Sequence, residues 1–323
     1  MTSSTEEPKA VESVSQDGDE KLVRMSLGDH LEELRRRIAW SLLAIVGGVV
    51  LVLPFKDSVT GIYTRPYEQM WFQHFDDAVS KAKERIRLAD ENGEEIYSSV
   101  REQMEWLLEK EEDIRSGALP PEGYELIKTR GGVKLPRTLT AFSGIEDIWT
   151  FMGATLLFGL LLGAPIVLYQ AWAFLAAGLY PHEKKVVLRV FPFAVLLLIA
   201  GASFGFFVAV PTGLYFLVKL MNFGYVQPVI GVSNYFGFLL MLTGALGAVF
   251  QLPVLMVALD KVGIMGHHAM RKNWRWVILL AFVFSAMLTP PDPFTQLMMA
   301  GPVIVLYVIG LLVTRPGAKR AEV

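Results

Sequence analysis

The sequence predicts an all-α polytopic membrane protein. Six transmembrane helices, both termini in the cytoplasm, and a helical hairpin inserted on the far side between helices 1 and 2 make up the expected plan. Three observations carry it. Apolar residues make up 53% of the 323, and the mean hydropathy is +0.41, more than a soluble chain of this length can enclose while keeping a polar surface. Charge is segregated: residues 148–314 hold only three acids, Glu183, Asp260 and Asp292, whereas residues 58–147 hold eighteen against twelve Lys and Arg. Basic residues also gather beside alternate ends of the apolar runs, as loops on the cytoplasmic side do. The formal net charge of −2 averages over this segregation and decides nothing.

A spanning helix needs about 20 mostly apolar residues. The first such run is Ile38–Phe55, the second Ile148–Trp172, the third Val186–Val210 and the fourth Tyr235–Leu259. Trp274–Val313 is too long for one crossing, and Thr289-Pro290-Pro291-Asp292-Pro293 divides it, because proline removes backbone donors and clashes with a continuing helix. The fifth run, Trp276–Leu288, covers only about 20 Å at 1.5 Å per residue, short of a hydrocarbon core of about 30 Å. It must thin the bilayer or sit behind longer neighbours.

Orientation follows from four basic clusters on one side. They are Arg35-Arg36-Arg37 before run one, Lys184, Lys185 and Arg189 after run two, Lys261, Arg271, Lys272 and Arg275 after run four, and Arg315, Lys319 and Arg320 at the end. The opposite short loops hold only Lys219. The expected segments are a disordered cytoplasmic tail (1–24), an interfacial amphipathic helix with the first span (25–57), the insertion (58–147), the five-span core (148–314) and a short cytoplasmic tail (315–323). No apolar segment lies near Met1, so no cleavable leader is expected.

Within the insertion, Trp71, Phe75, Val79, Ala82 and Ile86 recur at helical spacing, as do Ile96, Val100, Met104 and Leu107 or Leu108. Glu91-Asn92-Gly93 separates them as a turn, which predicts a hairpin with its two apolar stripes packed together. Its acidic outer faces suit either a solvated surface or a docking face. Pro120-Pro121 ends the hairpin, and Leu126–Leu135 has the pattern of a short β-ribbon.

Cysteine is absent, which excludes disulfides, thiolate metal sites and cysteine nucleophiles. The spans carry no phosphate-binding loop, no metalloprotease or serine-hydrolase signature and no paired aspartates. No cofactor, metal or nucleic-acid partner is expected; lipid is. Ser26-Leu27-Gly28-Asp29 has the form of a capping box, and the helix after it carries Leu27, Leu31, Leu34 and Ile38 on one stripe. It should lie along the interface before turning into the first span. Two roles suit Glu33: an i,i+4 partner for Arg37, worth a few tenths of a kcal/mol, or an acidic spot for a cationic ligand. Glu183, after Pro181 and His182, suits the first turn of a helix, yet it faces the same side as Glu33. Gln251 falls mid-span, where it either satisfies the backbone opened by Pro253 or serves a functional cavity. Asp292 suits a turn. Gly159 with Gly163, and Gly201 with Gly205, permit close helix packing. His267 and His268 lack a third ligand and suit a solvated loop.

Several segments together resemble the TatC family, the multispanning core of the twin-arginine protein translocase of the bacterial inner membrane. They are His30-Leu31-Glu32-Glu33-Leu34-Arg35-Arg36-Arg37, Ala164-Pro165 through Tyr169-Gln170-Ala171-Trp172-Ala173-Phe174, Gly178-Leu179-Tyr180-Pro181-His182-Glu183-Lys184-Lys185, and Leu288-Thr289-Pro290-Pro291-Asp292. Arg65-Pro66 is similar to the family's periplasmic proline segment, and Thr140–Phe151 to the one leading into span two. The resemblance covers residues 25–70 and 138–315. It implies a receptor, not an enzyme, that binds twin-arginine signal peptides of folded precursors through Glu33 and Glu183, with His30, Arg35 and His182 beside them. Gln251, Pro66, Asp292 and Pro165 would dock partners or hold structure. It further implies TatA- and TatB-type single-span partners, a homo-oligomer within a receptor complex, and the proton-motive force as driver. Two departures stand out. The family often has a glutamate where this chain has Gln251, and its first periplasmic loop is usually far shorter. The competing class, a secondary transporter for a small solute, would want ionisable groups at the midplane, where this sequence offers only Gln251.

Overall fold

In a computed structural model, the described residues are 27–119, 127, 136–177, 181–220, 229–261, 263–288 and 293–314, excluding side chains at 27, 29–30 and 175–189. The tails, the proline turn with Asp292, and all of Leu126–Leu135 except Ile127 lie outside them. Ile127 itself is helical and buried, not extended.

Helix α1 (Leu27–Val52) is uninterrupted. The expected turn between an interfacial segment and the first span is therefore absent, because Leu, Glu, Arg and Ala continue from residue 29 to residue 46 without a glycine or proline. Pro54 ends it: the residue before a proline disfavours helical geometry. The chain bends by 101° and restarts as α2 (Lys56–Asn92). The hairpin's first helix thus begins at Lys56, about four turns ahead of the stripe that starts at Trp71, and runs straight through Arg65 and Pro66. Pro66 has no N–H to give the Ile62 carbonyl, and one residue on the Tyr235 hydroxyl donates to the Tyr63 carbonyl, fastening this stretch of α2 to the chain at Tyr235. Gly93, at φ 66°, takes the left-handed conformation that ends α2 at the predicted turn. The helices α3 (Ser98–Glu109) and α4 (Glu111–Ser116) follow.

The remaining helices are α5 (Glu146–Ala177), α6 (Pro181–Phe204), a π-helical turn (Gly205–Ala209), α7 (Val210–Leu220), α8 (Val232–Val249), α9 (Leu252–Lys261), α10 (His267–Lys272), α11 (Trp274–Leu288) and α12 (Pro293–Val313). Among the described residues, four stretches are long and apolar enough to cross a membrane: Glu146–Phe174, Val190–Leu220, Val232–Lys261 and Pro293–Val313. The bent α1–α2 pair passes the same test only jointly, since α1 alone carries three arginines, and α11 is apolar but short. At 15 residues α11 measures about 22 Å, the shortness its sequence predicts. The third span extends past Val210 to Leu220 through the π turn. The fourth breaks at Phe250–Gln251, where Pro253 has no N–H to give the Val249 carbonyl.

Close packing rests on absent side chains. A Cβ on Gly48 would lie 2.3 Å from the Gly159 carbonyl oxygen, and one on Gly163 would lie 3.0 Å from that of Ala44, so α1 and α5 touch along their backbones. Gly201 and Gly205 do the same for α6 and the π turn against Leu246 and Thr243 of α8. Both glycine pairs singled out in the sequence are therefore crossing points. Outward faces are apolar, with Leu43, Val46, Leu196, Ile199 and Leu280 exposed, which suits lipid.

The insertion packs on the membrane helices as well as on itself. Trp71, Phe75, Val79 and Ala82 of α2 are buried together with Leu107, Ile114 and Ile127, but also with Leu214 and Val218 of α7. Because α7 takes part of that stripe, Ile86, Ile96, Val100 and Met104 are only half-buried. The outer face carries ion pairs such as Arg115–Asp76 and Arg101–Asp90, worth little at such exposure. The far end of the insertion returns through Thr140, which pairs with the chain at Ile230–Val232. Glu146 then accepts from the N–H groups of Phe142 (2.6 Å) and Ser233 (3.3 Å), joining the starts of α5 and α8.

His74 lies in the α2–α7 seam, its ring 4.6 Å from that of Tyr215, whose hydroxyl donates to Asp77. Burial holds the imidazole below the ordinary histidine range; Lys219 and Lys81 add to that, and Asp77 opposes it. A depressed folded-state value means the undocked form binds the extra proton, so docking is full above pH ~6.5 and weakens as pH falls below it. The protection of residues 70–82 against hydrogen exchange, relative to the intrinsic amide rate at each pH, is expected to fall below pH 6 in the native chain but not in His74→Phe. Equal acid sensitivity in the two would refute this.

Candidate functional site

Polar groups at the end of the helices that carries the basic clusters are few, and three of them meet. Glu33 and Arg37 stand one turn apart on α1, and α5 brings Gln170 alongside. Arg37 donates through Nε (3.1 Å) and Nη2 to one oxygen of Glu33, Oε1. Its remaining nitrogen, Nη1, donates to Gln170 Oε1 at 3.2 Å. The second carboxylate oxygen, Oε2, is buried and has no hydrogen-bond partner among the described residues. The i,i+4 pairing expected from the sequence is therefore present, but it occupies only half of the carboxylate.

The other predicted residues distribute as follows. Arg35 is exposed and faces Glu32 at 3.5 Å, a pair open to water. Glu183 and His182 fall in the first turn of α6, which begins at Pro181 as expected; their side chains, and that of His30, lie outside the described residues. Connectivity still constrains them. Helix α5 ends at Ala177, two turns beyond Gln170, and α6 starts four residues later, at that same end. Pro66 and Pro165 both sit inside helices, α2 and α5. Gln251 donates from Nε2 to the Ala194 carbonyl of α6 at 3.0 Å, while its Oε1 is buried without a partner among the described residues. The amide nitrogen thus serves the backbone and the oxygen remains open. His267 is tied down, its N–H donating to Asp260 and its ring 3.3 Å from Thr314 Oγ1. No group of three or more His, Asp or Glu among the described residues could hold a metal ion.

Against known proteins, the chain matches the family model for the Sec-independent protein translocase protein (TatC) over residues 29–302. That range takes in nearly all of α1, all of α5 and the first part of α12. The chain belongs to the TatC family. It is 34% identical over 185 residues to TatCy of Bacillus subtilis, covering 57% of this chain and 73% of that one. With TatC of Escherichia coli K12 it is 34% identical over 194 residues, covering 59% and 75%. TatC of Koribacter versatilis aligns over 312 residues at 28% identity, covering 96% and 92%, so its alignment runs through the insertion too. Two crystal structures of the twin arginine translocase receptor TatC share the fold, with TM-scores of 0.62 and 0.57 at 24% and 25% identity. They cover 89% and 88% of this chain and 100% and 97% of theirs. As a TatC-family member the chain is a multi-pass membrane component of a protein translocase, and not an enzyme.

Sequence reasoning quoted Gln170 within a TatC motif but gave it no role. A signal was available: it is a lone amide in the otherwise apolar run from Phe151 to Trp172, and such groups usually face a partner inside the protein. The tyrosines Tyr63, Tyr67 and Tyr235, all buried at the α2–α8 contact, were missed because aromatic residues give no sign of which hydroxyl meets which carbonyl.

Proposed function

We propose that this TatC-family chain is the receptor subunit that binds twin-arginine signal peptides at the cytoplasmic face, through Glu33 and Glu183. His30, Arg35 and His182 flank those two carboxylates. In this reading six spans cross the bacterial inner membrane with both termini inside, α1 and the short α11 counting as spans. The subunit scaffolds export of folded proteins with TatA- and TatB-type single-span partners, in a homo-oligomeric receptor complex driven by the proton-motive force. The observation that carries it is the Oε2 of Glu33, buried and without a partner among the described residues. A carboxylate kept from water with a free lone pair is an acceptor for a cation, and a guanidinium is the donor that matches it in shape. Gln251, neutral where relatives often carry glutamate, would meet a partner helix through a neutral hydrogen bond accepted by its open oxygen.

A charge-assisted hydrogen bond contributes about 1.5–3 kcal/mol, so Glu33→Ala or Glu183→Ala should each weaken signal-peptide binding by roughly tenfold or more. Site-specific crosslinking of a twin-arginine precursor to the receptor in membranes measures it. Unchanged crosslinking by the double variant would sink the assignment.

A further inference from the structure

Glu33, the proposed acceptor for a signal-peptide arginine, already holds one. The pairing is lopsided. Arg37 spends Nε and Nη2 on a single oxygen, and leaves Oε2 buried with no partner among the described residues. A helical ion pair formed for stability alone would turn its spare oxygen to water; the Glu33 side chain is instead only 10% exposed. The third Arg37 nitrogen is held by Gln170 on α5, an acceptor that carries no charge and does not depend on Glu33.

We propose that Arg37 is a resident occupant of Glu33 that the incoming arginine displaces, and that this exchange is what selects arginine over lysine. An arginine from outside presents two parallel N–H groups and can engage both carboxylate oxygens. It replaces the two bonds Arg37 gives up and also satisfies Oε2. Arg37, once released from Glu33, keeps its bond to Gln170, so its guanidinium is not stranded. Lysine offers a compact ammonium without the planar fork. It cannot fill both oxygens in that geometry, so it does not recover what the departing guanidinium made. Arg37 is thus a specificity-determining residue, and Gln170 the position to which it retires. The inference rests on the reading of Glu33 as a signal-peptide site.

The test uses the full-length protein in lipid nanodiscs and a fluorescent twin-arginine signal peptide, with a twin-lysine version as competitor. Removing the occupant in Arg37→Gln should tighten twin-arginine binding by at least about threefold and shrink the arginine-to-lysine affinity ratio by about tenfold. Arg37→Lys, which retains the charge without the fork, should shift the ratio the same way by a smaller factor, and decides the matter if Arg37→Gln does not fold. A native ratio in the folded Arg37 variants overturns the exchange. Glu33→Gln separates the two readings. If it binds the twin-arginine peptide as the native chain does, the site itself is wrong. If it fails to bind while the Arg37 variants keep the native ratio, only the exchange is wrong.

Discussion

Replacing Gly48 with leucine is expected to remove nearly all folded protein from the membrane. The first added carbon would lie 2.3 Å from the Gly159 carbonyl oxygen and 3.0 Å from its carbon, well inside contact distance. Overpacking costs about 1–3 kcal/mol where side chains can give way. Here the obstacle is main chain, so α1 and α5 must part along the seam that also places Gln170 against Arg37. Total stabilities are only about 5–15 kcal/mol, and in lipid the helices are held by this packing and not by hydrophobic burial. The control is next door: a Cβ on Gly47 meets nothing within 4 Å, so Gly47→Leu should accumulate normally. Immunoblots of membrane fractions, with thermal melting in mild detergent, compare them. Equal levels and melting for both variants would refute the packing argument.

Trp71→Ala should unseat the insertion while leaving the membrane helices assembled. Trp71 is 1% exposed, stacks on Phe75 at 5.6 Å, and has the Arg137 guanidinium 6.0 Å from its ring. Truncating such a side chain costs about 3–5 kcal/mol, levied on one contact between α2, α7 and the returning chain. Limited trypsin treatment of right-side-out material should then cut at Arg85, Arg87 or Arg101, with the fragment from α5 onward intact. Tyr97, 86% exposed, supplies the comparison, since Tyr97→Ala should stay as resistant as the native chain. Native resistance in Trp71→Ala would show that the buried ring is not what seats the insertion.

Apolar run length was enough to read the helical stretches after the insertion, because lipid demands continuous apolar helix and leaves little else possible. Glycine spacing gave the α6–α8 crossing and half of the α1–α5 one. Gly48 escaped because a glycine contact leaves no mark except on the helix opposite. Elements whose limits depend on a neighbour were misread. Arg65-Pro66 is similar to a periplasmic proline segment, yet α2 runs through it, fastened there to α8 by the Tyr235 hydroxyl on the Tyr63 carbonyl. The third span looks complete at Val210, yet it continues to Leu220 because α2 packs on the extension. At the candidate site, Glu33 and its i,i+4 arginine were legible from spacing alone. The one-sided use of the carboxylate and the hold of Gln170 on Arg37 depend on how α5 lies beside α1, which no local pattern encodes.

One hydrogen bond in the insertion reaches further than its strength. The Tyr67 hydroxyl donates to the Pro136 carbonyl at 2.7 Å across 69 residues of sequence. The insertion therefore leaves the membrane helices and rejoins them at one doorway. A segment whose ends meet can be lengthened, trimmed or exchanged for another folded unit without moving its attachment points. Family members with short and long versions of this loop need not differ in the frame that bears it. For an experimenter, the tip near Asn92–Gly93 is the natural mount for a reporter domain, since α2 leaves from the end of α1 opposite Glu33.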